Sequence, residues 1–304
     1  MQLGFVTAIL QNHSFEEVID FAAKHGFKCV EVVCWPKEKA DRRYAGVSHI
    51  DCVNLDDKKA QYIKDYCIKK GVCISSLAYY PNMLDSNLQK REKAIAHLKQ
   101  VIAAAMKLEI NLVTSFIGRV ESKTVIENLD IAEKVWNPLM RFAEDHNVRI
   151  AIENCPMLFG AEQWPGGQNI FTSPENWRQV FQRITSRNLG INYDPSHFVW
   201  QMMDYVLPIY EFKDKIFHAH AKDIKVYKEK LNNVGIMAFP LEFMAPKLPG
   251  LGDISWGKYI SALTDVDYDG PLCLEIEDRS FESSDEAILG SLVLSKRYID
   301  QFII

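Results

Sequence analysis

Short apolar runs rich in β-branched residues alternate with longer amphipathic segments along the whole of this 304-residue chain. The short runs predict buried parallel strands, and the segments between them predict helices. Strands are predicted at 3–8, 28–33, 72–78, 111–116, 149–153, 189–193, 215–220 and 271–276. Helices are predicted at 14–25, 56–70, 87–108, 123–147, 174–184, 199–213, 256–265 and 284–302. This alternation predicts an α/β fold, a (β/α)8 TIM barrel that forms a single domain over residues 1–304.

The segments between the strands contain helix-start signals and long loops. Ser14 with Glu17, and Ser283 with Glu286, fit the capping box, in which each side chain bonds the backbone N–H of the other residue. The segment 221–254 follows a predicted strand and is interpreted as a long loop. Loops that follow barrel strands lie at the C-terminal rim, where active-site loops are found.

Four of the predicted strands end in a side chain that can bind a metal ion. Glu153 ends IAIE, Asp194 follows INY, His220 ends IFHAH and Glu275 follows LCL. Because the C-terminal ends of parallel barrel strands meet at one rim, we expect these four side chains to lie together. Three carboxylates and one imidazole suit Mn²⁺, Mg²⁺ or Co²⁺ better than a structural zinc site. The sequence therefore predicts one divalent metal ion at the rim.

The predicted ligand set indicates a chemistry. Four protein ligands leave about two positions of an octahedral ion open, and a bidentate α-hydroxyketone could fill them. The ion would polarise the carbonyl and make the adjacent C–H bond more acidic. Glu153 and Glu275 could then act as catalytic base and acid on that proton. A single glutamate at a strand end is better explained as an ion-pair partner than as a metal ligand, but four ligands on four strand ends favour a metal site.

Other side chains near the rim are candidates for binding a substrate. His197 lies three residues after Asp194 and is predicted to contact the substrate or to lie behind the metal ligands. Lys222 could neutralise an oxyanion, although a solvated lysine explains it equally well. Aromatic rings suit the faces of sugars, although they are as often part of loop packing. The aromatic candidates are Trp35, Tyr80 and Trp164.

Four further ionisable residues near the strand ends receive weaker interpretations. Glu31 ends the second strand and is a secondary candidate for the rim. His218 shares the face of His220 on its strand and is interpreted as a hydrogen-bonded core histidine. Glu277 and Asp278 are interpreted as a solvated acidic edge.

Composition restricts the partners and the compartment. The formal net charge of −5 disfavours a nucleic-acid partner, because nucleic-acid binders normally present a basic face. Seven cysteines without a CxxC pair indicate reduced thiols and a cytoplasmic protein. The N-terminus MQLGFVTAIL lacks the pattern of a signal peptide, and no apolar run is long enough to span a bilayer. We therefore expect neither a membrane nor a nucleic acid as partner.

Several motifs together resemble those of a known family. They are IAIENCPM, GGQNIFTSPENW, NYDPSHFVWQ, HAHAKD, LPGLGDISW and YDGPLCLEIED. Over essentially the whole chain they resemble the xylose isomerase-like TIM barrel superfamily, the sugar phosphate isomerases/epimerases. The chain is most similar to the tagatose/allulose 3-epimerases and to relatives that act on keto-glycosides. DPSH and HAHAKD, at their relative positions, are the most specific of these motifs.

This resemblance implies an activity and a cofactor. The positions of the four rim ligands would bind one divalent ion, Mn²⁺ first, with Co²⁺, Mg²⁺ and Zn²⁺ as alternatives. Glu153 and Glu275 would exchange a proton through a cis-enediolate of a small-molecule sugar substrate, which His197 would contact. Where these epimerases have an arginine six residues after the metal-binding histidine, this chain has Val226, which disfavours a free ketohexose as substrate. The stretch LAYYPN resembles the relatives that act on keto-glycosides more closely. Relatives are often dimers or tetramers, so a homo-oligomer stays open.

The same fold supports other functions. A metal-dependent dehydratase of a keto-cyclitol or related sugar derivative would begin with the same proton abstraction, and it is the main alternative. A non-catalytic sugar-binding barrel is a second alternative, although all four predicted ligands are present. The DNA-repair endonuclease IV group has the same fold, but it requires additional histidines and an Asp-x-His motif that this sequence lacks.

Overall fold

In the computed structural model, which describes residues 1–36, 43–158 and 160–303, eight parallel strands close into a barrel. Neighbours around the barrel follow the chain order, and the last strand closes the ring against the first. The predicted single-domain (β/α)8 TIM barrel is confirmed. The barrel strands are β1 (Gln2–Val6), β2 (Cys29–Val33), β3 (Cys73–Ala78), β4 (Leu112–Ser115), β5 (Arg149–Glu153), β6 (Leu189–Tyr193), β7 (Ile216–Ala221) and β10 (Pro271–Leu274).

Helices surround the barrel and bury their apolar faces against it. Leu98, Val101 and Ile102 of the third helix, for example, are fully buried. Within the described ranges, no helix is both long and apolar enough to cross a membrane. The helices are α1 (Phe15–Lys24), α2 (Asp57–Lys70), α3 (Leu88–Lys107), α4 (Val125–Asp145), α5 (Pro174–Arg183), α6 (Ser196–Trp200), α7 (Leu207–Glu211), α8 (Lys228–Val234), α9 (Trp256–Asp265) and α10 (Asp285–Asp300). Short 3-10 turns lie at Thr7–Leu10, Ala161–Gln163, Lys213–Lys215, Pro240–Glu242 and Arg279–Phe281.

The predicted helix 199–213 is wrong, because two short helices, α6 and α7, occupy this region. Met202 has a left-handed φ of 60°, which a helix does not accommodate. The Asp204 carboxylate then accepts the backbone N–H groups of Val206 and Leu207 at 2.6 and 2.9 Å. These two hydrogen bonds hold the turn that leads into α7, whose N-cap is Val206.

The segment 221–254, interpreted as a loop, contains ordered elements. β8 (Asp223–Val226) and β9 (Met244–Lys247) form an antiparallel pair, and α8 lies between them. All four residues of β9 are only partly buried, and one of them is Pro246. β9 therefore lacks the run of buried apolar residues that predicts the barrel strands, and the sequence does not reveal it.

The two predicted capping boxes have different outcomes. At α1, Ser14 and Glu17 each bond the backbone N–H of the other, as predicted. At α10 the capping residue is Ser284, whose hydroxyl accepts the N–H of Ala287 at 3.1 Å, so the prediction of Ser283 with Glu286 is wrong by one residue. Ser284 has Ala287 at the third following position, so the glutamate on which the predicted box depended does not select the capping residue.

Candidate functional site

The side chains of Glu153, Asp194, His220 and Glu275 meet at the C-terminal end of the barrel. Glu153 is the last residue of β5 and His220 the last but one of β7, while Asp194 and Glu275 directly follow β6 and β10. One ligand atom from each residue lies within 4.8 Å of the others. We call these four residues the outer cluster. Parallel strands thus bring the four predicted ligands together, three of them buried and Glu275 partly buried.

A second group of buried polar side chains lies on the other side of the His220 ring. His220 Nε2 is 2.8 Å from Glu31 Oε2, whereas Nδ1 faces the outer cluster. Thr114 donates its hydroxyl to Glu31 Oε1 at 2.8 Å, and the Tyr80 hydroxyl donates to the same oxygen. We call this group the inner network; its members are Glu31, Tyr80, Thr114, Asn192 and His218.

Hydrogen bonding distinguishes the two groups. Among the residues that the structure describes, the buried Asp194 Oδ2, His197 Nε2 and His220 Nδ1 atoms make no hydrogen bond of acceptable geometry, although Asp194 Oδ2 lies 3.1 Å from His197 Nε2 and Glu275 Oε2 lies 3.3 Å from His220 Nδ1. Both oxygens of Glu31, in contrast, accept hydrogen bonds. A buried polar atom without a partner costs about 1–3 kcal/mol and requires an explanation.

A divalent cation in the outer cluster would provide a partner for these atoms. Three carboxylates and one imidazole nitrogen form an oxygen-rich ligand set that suits such an ion. Glu31, His218 and His220 also lie close enough together to hold an ion. Their hydrogen bonds, however, already use the atoms that would be ligands. The side chains therefore fit a metal in the outer cluster better than one in the inner network.

The surroundings separate the pKa values of the two glutamates in the outer cluster. Burial, followed by the charge of Glu275, raises the pKa of Glu153 from 4.5 to about 7. Burial also opposes ionisation of Glu275, but Lys222 and then His220 outweigh it and lower the pKa of Glu275 to about 2. Without a metal, the proton of this coupled pair therefore resides on Glu153. Carboxyl groups with opposed pKa values are candidates for an acid and a base.

Lys222 is buried beside the outer cluster. Its ammonium lies 3.3 Å from Glu275 and 2.5 Å from Glu277. Burial disfavours the charge, but these two carboxylates hold the pKa of Lys222 well above its usual value. The interpretation of Glu277 and Asp278 as a solvated edge is wrong, because Glu277 pairs with Lys222 and Asp278 is only 2% exposed, near Lys247. The Lys222 ammonium thus keeps Glu275 ionised.

His197 is buried against the two carboxylates Asp194 and Glu153. Its Nε2 atom is 3.1 Å from Asp194 Oδ2 and 3.6 Å from Glu153 Oε1. Glu153, Cys155 and His197 also lie close enough together for a metal. However, the indole N–H of Trp200 donates to His197 Nδ1 at 3.5 Å, so the neutral ring carries its hydrogen on Nε2. His197 is therefore suited to donate a hydrogen bond rather than to bind a metal.

The aromatic candidates have different surroundings. The half-buried Trp35 ring meets Tyr79 edge-on with ring centroids 4.9 Å apart. The Tyr80 hydroxyl belongs to the inner network, so a substrate contact would involve its ring. The Trp164 indole N–H donates to the backbone carbonyl of Met237 at 2.9 Å. Contacts of these rings with a substrate stay a prediction.

Asp223 links two of the sequence motifs. Its carboxylate holds the loop 248–256, and a Cβ atom on Gly252 would lie only 2.2 Å from Asp223 Oδ1. Glycine is therefore required at this close approach. The HAHAKD and LPGLGDISW motifs thus form one unit next to Lys222. The groups that donate to Asp223 are the backbone N–H groups of Ile224, Gly250, Gly252 and Ile254 and the indole of Trp256.

The inner network was only partly anticipated. His218 is fully buried, with Nδ1 3.0 Å from Asn192 Oδ1, which confirms its interpretation as a hydrogen-bonded core histidine. The prediction that Glu31 ends the second strand is wrong, because Glu31 is the third of the five residues of β2. Asn192 was missed, although its position two residues before Asp194 places both side chains on the same side of the chain.

Known proteins share the length and fold of this chain. The uncharacterized protein YfiH of Bacillus subtilis is 24% identical over 337 residues, which cover 99% of this chain and 100% of YfiH. Among solved structures, the D-psicose 3-epimerase of Clostridium cellulolyticum H10, studied with D-tagatose, has a TM-score of 0.70 at 14% identity. That alignment covers 100% of this chain and 99% of the epimerase.

Two further structures share the barrel. The IOLI protein with a binding zinc atom has a TM-score of 0.72 at 16% identity, with 100% of this chain and 99% of that chain covered. The probable 3-DHS dehydratase AsbF of Bacillus anthracis has a TM-score of 0.69 at 18% identity, with coverages of 98% and 100%. A model of the xylose isomerase-like TIM barrel family matches residues 19–296, and the chain belongs to that family.

Proposed function

We propose that this protein is a divalent-metal-dependent isomerase or epimerase that moves a proton beside the ketone of a keto-sugar or keto-glycoside. The observation that carries the proposal is the pair Glu153 and Glu275, which lie in one cluster with pKa values of about 7 and about 2. Membership of the family and the similarity of the fold to a psicose 3-epimerase support the substrate class.

The outer cluster would hold the ion through Glu153, Asp194, His220 and Glu275. The oxygen-rich set favours Mn²⁺, with Co²⁺ and Mg²⁺ as alternatives, and the zinc in the IOLI protein keeps Zn²⁺ among them. When bound, such an ion supplies Lewis-acid polarisation of the substrate's oxygens.

The two glutamates divide the proton transfer between them. Glu275, kept ionised by Lys222, takes the proton from the carbon beside the ketone, and the C–H electrons move toward the ketone oxygen to give an enediolate. Glu153, which holds a proton more readily, returns a proton to carbon, and the electrons move back from oxygen. The reverse reaction uses the same groups in the opposite order.

The remaining site residues position the substrate in this proposal. The Nε2–H of His197 donates to a substrate oxygen, since its Nδ1 accepts from Trp200. Lys222 lies beside Glu275 and stabilises negative charge there. Trp35, Tyr80 and Trp164 present aromatic faces to the sugar ring.

A dehydratase would share the first step. Removal of the proton by Glu275 would then be followed by expulsion of a β-hydroxyl group rather than by return of a proton. The AsbF fold shows that the barrel is compatible with a protein described as a dehydratase. Solvent deuterium incorporation, followed together with loss of water, separates the two activities.

Solvent deuterium incorporation tests the proposal. Mn²⁺-loaded protein in D₂O is incubated with free ketohexoses, 3-keto-glucosides and an inosose, and NMR spectra of the sugars are recorded after protein and metal are removed. Deuterium beside the ketone together with a new epimer is the expected result. Deuterium with loss of water would establish the dehydratase instead, and no exchange by metal-loaded protein across the panel would contradict both.

Replacement of Glu275 by Gln tests the assigned roles. We expect Glu275→Gln to slow exchange by about 1000-fold or more, since general acid–base groups contribute about 10²–10⁴-fold. Glu109→Gln is the matched control, because Glu109 is an exposed glutamate paired with Lys64. An active Glu275→Gln protein with the rate of the control would remove Glu275 from the mechanism.

A further inference from the structure

We infer that Glu31 is a positioning residue that fixes which nitrogen of His220 is presented to the metal. The inference rests on the metal site of the proposed function and concerns a residue outside the outer cluster. Glu31 lies on β2, far along the chain from the strands that carry the ligands. It is fully buried, as is His220.

The two nitrogens of His220 have different environments. Nε2 is 2.8 Å from Glu31 Oε2, a normal hydrogen-bond distance. Nδ1 is directed to the outer cluster, 3.3 Å from Glu275 Oε2 and 3.9 Å from Glu153 Oε1. The ring therefore bridges the inner network and the outer cluster, and its orientation decides which nitrogen can bind an ion.

The groups around Glu31 require it to be an acceptor. Thr114 and Tyr80 both donate hydroxyl hydrogens to Oε1, which leaves Oε2 to accept from His220. Two hydroxyl donors favour the ionised form of Glu31, and the imidazole, with an ordinary pKa of about 6.5 against about 4.3 for glutamic acid, is the stronger base of the pair. The hydrogen in the 2.8 Å contact with Glu31 therefore lies on Nε2 of the ring, and the Asn192 amide Nδ2, which is 3.1 Å from the same nitrogen, makes the longer contact.

This assignment leaves the lone pair of a neutral His220 on Nδ1, directed at the outer cluster. A carboxylate that accepts the second N–H of a metal-binding histidine also fixes the ring and makes it a stronger ligand. The other histidine on β7, His218, does not compete for this role, because its Nδ1 is 3.0 Å from Asn192 and its Nε2 is 3.1 Å from Ser75. Glu31 thus acts on the metal through His220.

Metal affinity tests the inference without any sugar. Mn²⁺ binding to wild type, Glu31→Gln and Glu109→Gln is measured by competition with a chelator. We expect Glu31→Gln to weaken binding by about 10–100-fold, the usual effect of removing such a partner. The Glu109→Gln control carries the same change in charge at an exposed position and should match wild type. Unchanged affinity in folded Glu31→Gln would overturn the inference.

A conservative variant and a spectroscopic signature complete the test. Glu31→Asp keeps the carboxylate and should recover part of the lost affinity, which a general packing defect would not do. In wild type loaded with ¹¹³Cd²⁺ and labelled with ¹⁵N-histidine, we expect coupling of the metal to Nδ1 of His220 and a hydrogen on Nε2. Metal on Nε2 would contradict the inference even if the variants fail to fold. Because neither readout needs turnover, an inactive protein that shows both results would contradict only the proposed function.

Discussion

On one side of the His220 ring lies the inner network, and on the other side lies the outer cluster. Both contain carboxylates, and all their residues are buried except the partly buried Glu275. In the inner network, Glu31 receives donors on both oxygens. In the outer cluster, within the described ranges, Asp194 Oδ2 and His220 Nδ1 have no hydrogen-bond partner. Burial alone therefore does not distinguish a supporting group from a reactive one.

The difference lies in whether the polar atoms satisfy one another. A fully satisfied buried network is rigid and specifies one arrangement of its side chains. A buried cluster with unpaired ligand atoms is costly unless a ligand completes it. We therefore expect substitutions in the outer cluster to act on metal binding and catalysis. Substitutions in the inner network should act on stability, except where they alter the contact with His220.

The largest effect is expected for Asp194→Asn, which removes a ligand charge but keeps the shape of the side chain. Metal binding should weaken by more than about 100-fold, beyond the 10–100-fold typical of a residue behind the ligands. Chelator competition measures this affinity, with Glu31→Gln for comparison and Glu109→Gln as the control for charge. If the Asp194→Asn protein binds Mn²⁺ more tightly than the Glu31→Gln protein does, the assignment of Asp194 as a ligand and of Glu31 as a residue behind the ligands is contradicted.

A pH-dependent loss of stability is the second prediction. The pKa of Glu153 is about 7 in the folded protein, raised by burial and then by Glu275, against 4.5 in the unfolded chain. The folded state therefore holds the proton more tightly, and this contribution to stability, complete below pH 4.5, is lost as the pH rises through 7. Relative to Glu153→Gln, metal-free wild type should lose about 2–3 kcal/mol of unfolding free energy between pH 5 and pH 8.

Urea unfolding of both proteins with EDTA, from pH 5 to pH 8, measures this difference. The comparison with Glu153→Gln is needed because burial lowers the pKa of His218 to about 4, which makes stability rise with pH over part of the same range. Saturating Mn²⁺ at pH 8 should raise the unfolding free energy of wild type more than that of Glu153→Gln, because only wild type has all four ligands. A difference in unfolding free energy that stays constant from pH 5 to pH 8 would contradict the raised pKa of Glu153.

How far the sequence predicts these features depends on where their determinants lie. The barrel strands and the four strand-end ligands were found because burial and strand parity are local patterns. The β8–β9 pair was missed because its half-exposed residues, Pro246 among them, carry no such pattern. The role of Glu31 was underestimated because it depends on the rotation of the His220 ring, which residues distant in the sequence determine by packing.

The smallest effect is expected for Thr114→Val, which tests the two oxygens of Glu31 separately. Valine has nearly the shape of threonine but removes the hydroxyl that donates to Glu31 Oε1 at 2.8 Å. Loss of one donor to a buried carboxylate should lower the free energy of unfolding by about 1–2 kcal/mol. Metal affinity should change by less than about tenfold, the lower limit for removal of a direct partner of a ligand.

Urea unfolding and chelator competition on the same Thr114→Val preparation measure the two quantities together. The contact with His220 is made by Oε2, so the loss of a donor to Oε1 leaves that contact in place. Glu31→Gln, in contrast, removes the negative charge that the two oxygens share and should lower the affinity for Mn²⁺. If Thr114→Val weakens Mn²⁺ binding as much as Glu31→Gln does, the two oxygens of Glu31 are not independent. The inner network would then position His220 as one coupled unit. Substitutions anywhere in the network would be expected to affect both stability and metal binding.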